Sequence, residues 1–324
     1  MPMTRLPSRA AIAGALLLAG SGAFAQSFPS KPIRMIVPFA AGSATDQIGR
    51  AFGERIAPAL GQPVIIDNRP GANGMLGADA VAKAAPDGYT LLVGTNSTNA
   101  ALKFLMKKLP YDQDTAFAPV SFLGSVPLMV AVNNDLPVKT LREFVDFVRG
   151  KPGQVTFAYA STSQQVASEM LSSMAGIRMN AVPYKTGPAA MADLLGGHVM
   201  MFTADLAVTA PQYRAGKLRG LAVTSTRRVP VLPDIPTVNE ALGLKDYELI
   251  AYFAVFAPAG TPADIINRLN QVINAAAASK EIQERFANIG FAVEPSTPEA
   301  LAKRNRLETE KWGRAIRDAK IEPQ

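Results

Sequence analysis

The stretch IRMIVPFAAGSATD, residues 33–46, decides the fold class. Ile33 to Val37 is apolar and β-branched, the pattern of a strand buried on both faces. Pro38 to Ala44 is a loop of small residues. Thr45 suits a helix N-cap with Asp46 in the first turn. Ile48, Phe52, Ile56 and Leu60 then recur at helical spacing until Gly61 stops the helix. The same order repeats downstream. Val64 to Ile66 reads as a strand, and Asn68 to Gly74 as a turn-rich loop before a helix ending near Ala85. Pro86-Asp87-Gly88 turns the chain into a third strand, Tyr89 to Gly94. Strands alternating with helices imply a parallel sheet covered on both faces, an α/β fold.

The middle of the chain keeps this grammar. Val120 to Val132 is a long apolar stretch with Pro127 inside it. Thr140 caps a helix to about Arg149, Val155 to Tyr159 is a strand, and a helix runs from about Gln164 to Ala175. Asn180 to Pro183 is a short strand, and Pro188 sits at a helix start whose helix ends at Gly196-Gly197. Val199 to Phe202 and Leu218 to Thr224 are further strands. A second long apolar stretch, Tyr247 to Pro258, precedes three helices, at about 261–278, 281–288 and 298–320. Two extended crossings suggest that the chain leaves one lobe and later returns. Residues 26–125 and 254–324 then form a discontinuous first lobe, and 126–253 a second. Such a shape encloses a ligand between lobes and closes by hinge motion.

Length and composition agree with this. The chain has 324 residues, enough for about two domains, and 48% of them are hydrophobic. It has no Cys, which excludes disulfides, thiolate metal sites and cysteine nucleophiles, and a single His, which excludes sites needing two. Arg5 and Arg9, the apolar run Ala10 to Ala19 and the small-x-small Ala23-Phe24-Ala25 have the order of a cleavable export signal over residues 1–25. A buried N-terminal helix is the alternative. Without that segment, which carries two arginines and no acid, the net charge falls from +7 to +5. That charge is mild and dispersed, and gives no argument for nucleic acid.

No phosphate-binding G-x-x-x-x-G-K-[ST] loop or G-x-S-x-G elbow occurs. Gly71, Gly74 and Gly77 are spaced G-x-x-G-x-x-G, which fits a tightly packed turn and not a dinucleotide fingerprint. His198 falls in a turn after Gly196-Gly197, where a solvent-facing side chain is expected. The positive signal is the loop before the first helix, where small residues admit a ligand to the backbone. Free amides at the helix start, with Ser43 and Thr45 hydroxyls beside them, suit a carboxylate. Alternatively, Thr45 and Asp46 only cap the helix. Similar loops recur at Gly94 to Asn99, with Thr95 and Asn96; at Tyr159 to Gln164, with Ser161, Thr162 and Ser163; and at Tyr184 to Pro188. In an open α/β sheet these loops gather at the carboxyl ends of the strands. They describe a site for holding a small polar anion, without a base, nucleophile or metal set for transforming it.

On these residues the chain resembles the Bug-type receptors, extracytoplasmic solute-binding proteins of tripartite tricarboxylate transport systems. The resemblance runs through PSKPI (29–33), VPF (37–39), Gly42 with Ala44 to Asp46, NRPG (68–71), APDGYTLL (85–92), LPYD (109–112) and FAPV (117–120). It continues in VPYK (182–185), DLLGG (193–197), AGKLR (215–219), LAVTS (221–225), LPDIPT (232–237), FAPAGTP (256–262) and KWG (311–313). It implies a type II periplasmic binding protein fold, with two α/β lobes, two hinge strands and the ligand enclosed between them. Carried onto this chain, it implicates Phe39, Ser43, Ala44, Thr45 and Asp46 in the first lobe. In the second lobe it implicates Ser161 to Gln164 and Asp205. Asp46 is left to place a water or a ligand amine, or only to stabilise its helix.

Several positions depart from the family pattern: Ser43 replaces a frequent glycine, the Tyr159 to Gln164 loop is shortened, Gln165 replaces a frequent histidine and Thr186 a glycine. The segment Phe202 to Asp205 carries an extra residue. The expectation is a periplasmic, non-enzymatic receptor without cofactor or metal, binding a small carboxylate and presenting it to the membrane subunits of a tripartite transporter. The alternatives are a receptor that reports its ligand to a sensor protein, and a periplasmic enzyme.

Overall fold

The structure is a computed structural model that describes residues 28–323; the expected export signal lies outside them. In chain order the elements are β1 (Ile33–Val37), α1 (Ala44–Leu60), β2 (Val64–Asn68), α2 (Met75–Ala82), β3 (Thr90–Thr95), α3 (Leu102–Leu105), β4 (Phe117–Val132), α4 (Leu141–Arg149), β5 (Thr156–Tyr159) and α5 (Thr162–Ala175). They continue with β6 (Asn180–Pro183), α6 (Gly187–Leu195), β7 (Met201–Asp205), α7 (Leu206–Arg214), β8 (Arg219–Val223), α8 (Val238–Leu242), β9 (Ile250–Pro258), α9 (Ala263–Ala277), α10 (Lys280–Ala287), β10 (Ala292–Val293) and α11 (Pro298–Asp318).

The opening stretch folds as its pattern dictates. β1 pairs in parallel with β2 and β3, and α1 lays Ile48, Phe52 and Ile56 on the sheet with no exposed surface. Burying such side chains contributes roughly 1.5–3 kcal/mol each. One boundary differs from expectation. Ser43, not Thr45, is the N-cap of α1, its hydroxyl accepting from the Asp46 amide at 3.2 Å. Serine and threonine are both good caps, and the chain turns into the helix two residues earlier than Thr45 would require.

The sheet is mixed, not parallel throughout. β9 runs antiparallel between β3 and the first part of β4, which gives the strand order β2-β1-β3-β9-β4. The second part of β4 runs antiparallel between β7 and β8, which gives β6-β5-β7-β4-β8. Both halves therefore share one order, three parallel strands, one antiparallel strand and a fifth, without a repeat in sequence. The two long apolar stretches are the elements that join them. β4 changes partners at Pro127 and Leu128: Pro127 opposes Ile250 of β9, and Leu128 opposes Asp205 of β7. A proline, lacking an N–H, is tolerated where the ladder is interrupted.

The expected helix and strand positions otherwise hold to within a few residues. Several elements lacked a forecast, among them α3, α7 and β10. Ser97–Ala101 forms a π-helical turn leading into α3, where a loop was expected. α8 is closed by a reciprocal capping box between Thr237 and Glu240.

Candidate ligand-binding cleft

A cleft of about 1230 Å³ opens between the two halves. Its first-half wall is the loop Phe39 to Ser43 and the start of α1. The loop is set by a buried polar cluster behind it. Asp46 Oδ2 accepts from the Gly42 amide at 2.9 Å and from Arg50 Nε at 3.1 Å. Asn68 donates to Asp46 Oδ1 at 2.9 Å and to the Phe39 carbonyl at 3.0 Å, and itself accepts from Arg50. Burial pushes the Asp46 carboxyl up, but the hydrogen bonds from Arg50, Gly42 and Asn68 and the Arg50 charge outweigh it and hold it below the ordinary value. Gly42 takes φ +82°, which lets the chain turn from the loop into Ser43.

The amides of Ala44 and Thr45, first and second in α1, have no intrahelical partner by position, and both residues line the cleft. The opposite wall carries the start of α5. Ser161 is its N-cap residue but makes no side-chain capping bond; its hydroxyl pairs with that of Ser163 at 3.1 Å. Two helix starts, each with free amides and hydroxyls, thus face one space. Such starts carry a positive partial charge and favour anions without any fixed cation.

Of the residues singled out in the sequence, Phe39, Ser43, Ala44, Thr45, Thr95, Asn96, Ser161, Ser163, Gln164 and Asp205 line this cleft. Two do not. Asp46 is buried behind the α1 start, committed to Gly42, Asn68 and Arg50, and is not among the residues lining the cleft. Thr162 is buried beneath the α5 start, its hydroxyl without a hydrogen-bond partner. Both point inward because the rotation of about 100° per residue turns these positions of the first turn away from the cleft. His198 is exposed in its turn, as expected.

Several lining groups carried no clear sequence signal. Phe202 and Phe253 come from the interior of strands and join Tyr159 and Phe39 as an aromatic component of the wall. Their strands read only as apolar runs, which do not say which residue faces a cleft. Gln47, one turn into α1, also lines it, with a side chain donating to the Gly42 carbonyl at 3.3 Å. The Gly71–Gly74 turn contributes as well, and it packs as tightly as its spacing suggests: a Cβ on Gly77 would stand 2.7 Å from Pro38 Cα. Tyr184 donates to Asp193 at 2.6 Å, and burial, with that bond, pushes its pKa up to about 12.

Asp205, at the end of β7, is 9% exposed. Burial raises its pKa to about 6, against hydrogen bonds from its own backbone amide and from the Gln164 side chain. Gln164 is oriented by the Ala160 amide, which donates to its Oε1 at 2.8 Å. Among the described residues no cluster of His, Cys, Asp or Glu is placed to hold a metal, and no helix is long and apolar enough to cross a membrane.

The model of the tripartite tricarboxylate transporter family receptor, TctC, matches residues 48–321. The chain belongs to that family. Among TctC-type relatives, BugT of Bordetella pertussis is 36% identical over 321 residues, covering 98% of each chain. The solved periplasmic binding protein BugD superposes with TM-score 0.88 at 32% identity, over 92% of this chain and all of BugD. Rpa4515 of R. palustris, solved with adipate, gives 0.89 at 31%, over 92% of this chain and all of that one. MatC of Rhodopseudomonas palustris, solved with malate, gives 0.85 at 32%, over 89% and 100%. The TctC receptors are solute-binding proteins, and the fold found here, two halves of one strand order joined by two crossing strands, is theirs.

Proposed function

We propose that this protein is a periplasmic receptor that encloses a small carboxylate in the cleft and delivers it to the membrane subunits of a tripartite transporter. The observation that carries this reading is the pair of helix starts, α1 and α5, facing one another across the cleft with unpartnered amides. A carboxylate laid between them meets donors from both sides, and its binding favours the closed arrangement of the halves. The adipate and malate of the solved relatives are ligands of that chemistry. The partner change of β4 at Pro127 and the return through β9 support lobes at 26–125 with 254–324 and at 126–253. The basic, apolar and small-residue order of residues 1–25 supports export with cleavage. We assign Phe39, Ser43, Ala44, Thr45, Thr95, Asn96, Ser161, Ser163, Gln164 and Asp205 to the ligand.

A thermal-shift panel of mono-, di- and tricarboxylates, followed by calorimetry, tests the reading. A ligand at 100 times its Kd adds about 2.7 kcal/mol of stability. A panel without any stabilising carboxylate, or turnover of the bound compound, rejects the receptor. Uptake of the ligand that survives deletion of the gene rejects delivery to a transporter and leaves signalling through a sensor protein.

A further inference from the structure

The two helix starts present donors, yet another cleft residue, Asp205, presents an acceptor. Asp205 has no lysine or arginine at ion-pair distance among the described residues. Gln164 and Asp205's own backbone amide are the neighbours that favour its ionised form. An ionised carboxylate offers about four acceptor positions, which these neighbours leave largely unmet inside a mostly buried wall. Asn96 donates its amide nitrogen to the Ile250 carbonyl at 2.8 Å, and its oxygen is buried, out of a ligand's reach, without a partner. Asn96 follows β3 and Asp205 ends β7, strands that hold the same place in the two halves. A ligand made only of carboxylates and methylenes would leave the Asp205 acceptor unmet. It would also bring a second anion toward Asp205, which has no counter-charge at ion-pair distance among the described residues.

We propose that Asp205 is a specificity-determining residue, selecting carboxylates that also carry a hydrogen-bond donor, a hydroxyl or an ammonium group. This rests on the receptor reading above and narrows its substrate class. A site built to pair with a donor rejects the analogue lacking it, because its own buried acceptor is then left unpaired. Gln164 acts as a positioning residue. Its oxygen is held by the Ala160 amide, which leaves its nitrogen as the donor that favours the ionised Asp205.

Matched ligands test this by calorimetry on the mature chain: succinate against malate and aspartate, and 3-phenylpropionate against 3-phenyllactate and phenylalanine, with adipate as a longer donor-free acid. In wild type the donor-bearing member of a binding set should be about tenfold tighter or more. Asp205→Asn, nearly isosteric, should shrink that preference to within about threefold and tighten the donor-free acids. Preference for the hydroxyl member identifies a hydroxy acid, and for the ammonium member an amino acid. The inference falls if donor-free acids bind as tightly in wild type, or if Asp205→Asn leaves the ratio intact. It also falls if Asp205→Asn loses its native circular dichroism, since the residue is then structural. If no panel member binds, the receptor reading falls and takes this inference with it.

Discussion

The Asn68 side chain donates to Asp46 at 2.9 Å, and this bond ties the end of β2 to the first turn of α1. Because Asn68 also holds the Phe39 carbonyl and Asp46 the Gly42 amide, two residues outside the cleft set the course of the loop that lines it.

Asp46→Ala strands the Gly42 amide, the Asn68 amide and half of Arg50's hydrogen bonding. A loss of about 2 kcal/mol is expected in urea unfolding, discounted because Arg50 is partly exposed. The lowered pKa of Asp46 fixes the sign with pH. Its stabilisation is present above the ordinary aspartate value and is lost as pH falls through the lowered one. Asp46→Asn should therefore flatten the acid limb of the stability curve.

Asp205 has the opposite sign. Its folded pKa, about 6, lies above the ordinary 3.8, so the folded state holds its proton more tightly than the unfolded state. Stability is full below pH 3.8 and falls as pH rises through about 6, by on the order of 3 kcal/mol at most. Asp205→Asn should raise the melting temperature of the unliganded protein at pH 7.5 and have little effect at pH 3.5. Equal shifts at both values would contradict this.

Ser43→Ala removes the hydroxyl that caps α1 and should cost about 1 kcal/mol. Thr45→Ala leaves the cap in place and should weaken ligand binding more than stability. His198→Ala should change neither. Denaturation and calorimetry on the same three variants separate capping from contact.

Gly42→Ala places a Cβ at φ +82°, a left-handed conformation that costs about 1–2 kcal/mol for an alanine. That Cβ would stand 3.7 Å from Pro188 Cγ, which belongs to α6 on the opposite wall. Reduced stability, with binding altered through the loop, should appear in parallel melting and titration experiments.

Much of this was legible in the chain because periodicity reports burial. Ile48, Phe52 and Ile56 announce the inner face of α1, and the apolar runs near 120–132 and 247–258 announce the crossings. Which side of a helix start faces a ligand is not legible in that way. Asp46 and Thr162 stand among residues that line the cleft, yet a rotation of about 100° per residue turns them inward. Phe202 and Phe253 were hidden for a related reason: a strand buried on both faces shows no alternation to mark its cleft side. The capping box of α8 was readable as T-x-x-E at Thr237 and Glu240, whereas the π-turn at Ser97–Ala101 has no comparable signature.

β4 is a single strand of 16 residues that serves both halves in succession. Because side chains alternate faces along a strand, one residue inserted between Val126 and Leu128 would reverse every β4 side chain beyond it while leaving those before it correct. Surface loops of this protein can lengthen or shorten with little penalty, but the crossing has a fixed count. Its parity ties the facing of β4 side chains in one half to their facing in the other, so an insertion of odd length there has to be taken up by a further bulge like those β4 already carries at 119–124 and 130–131.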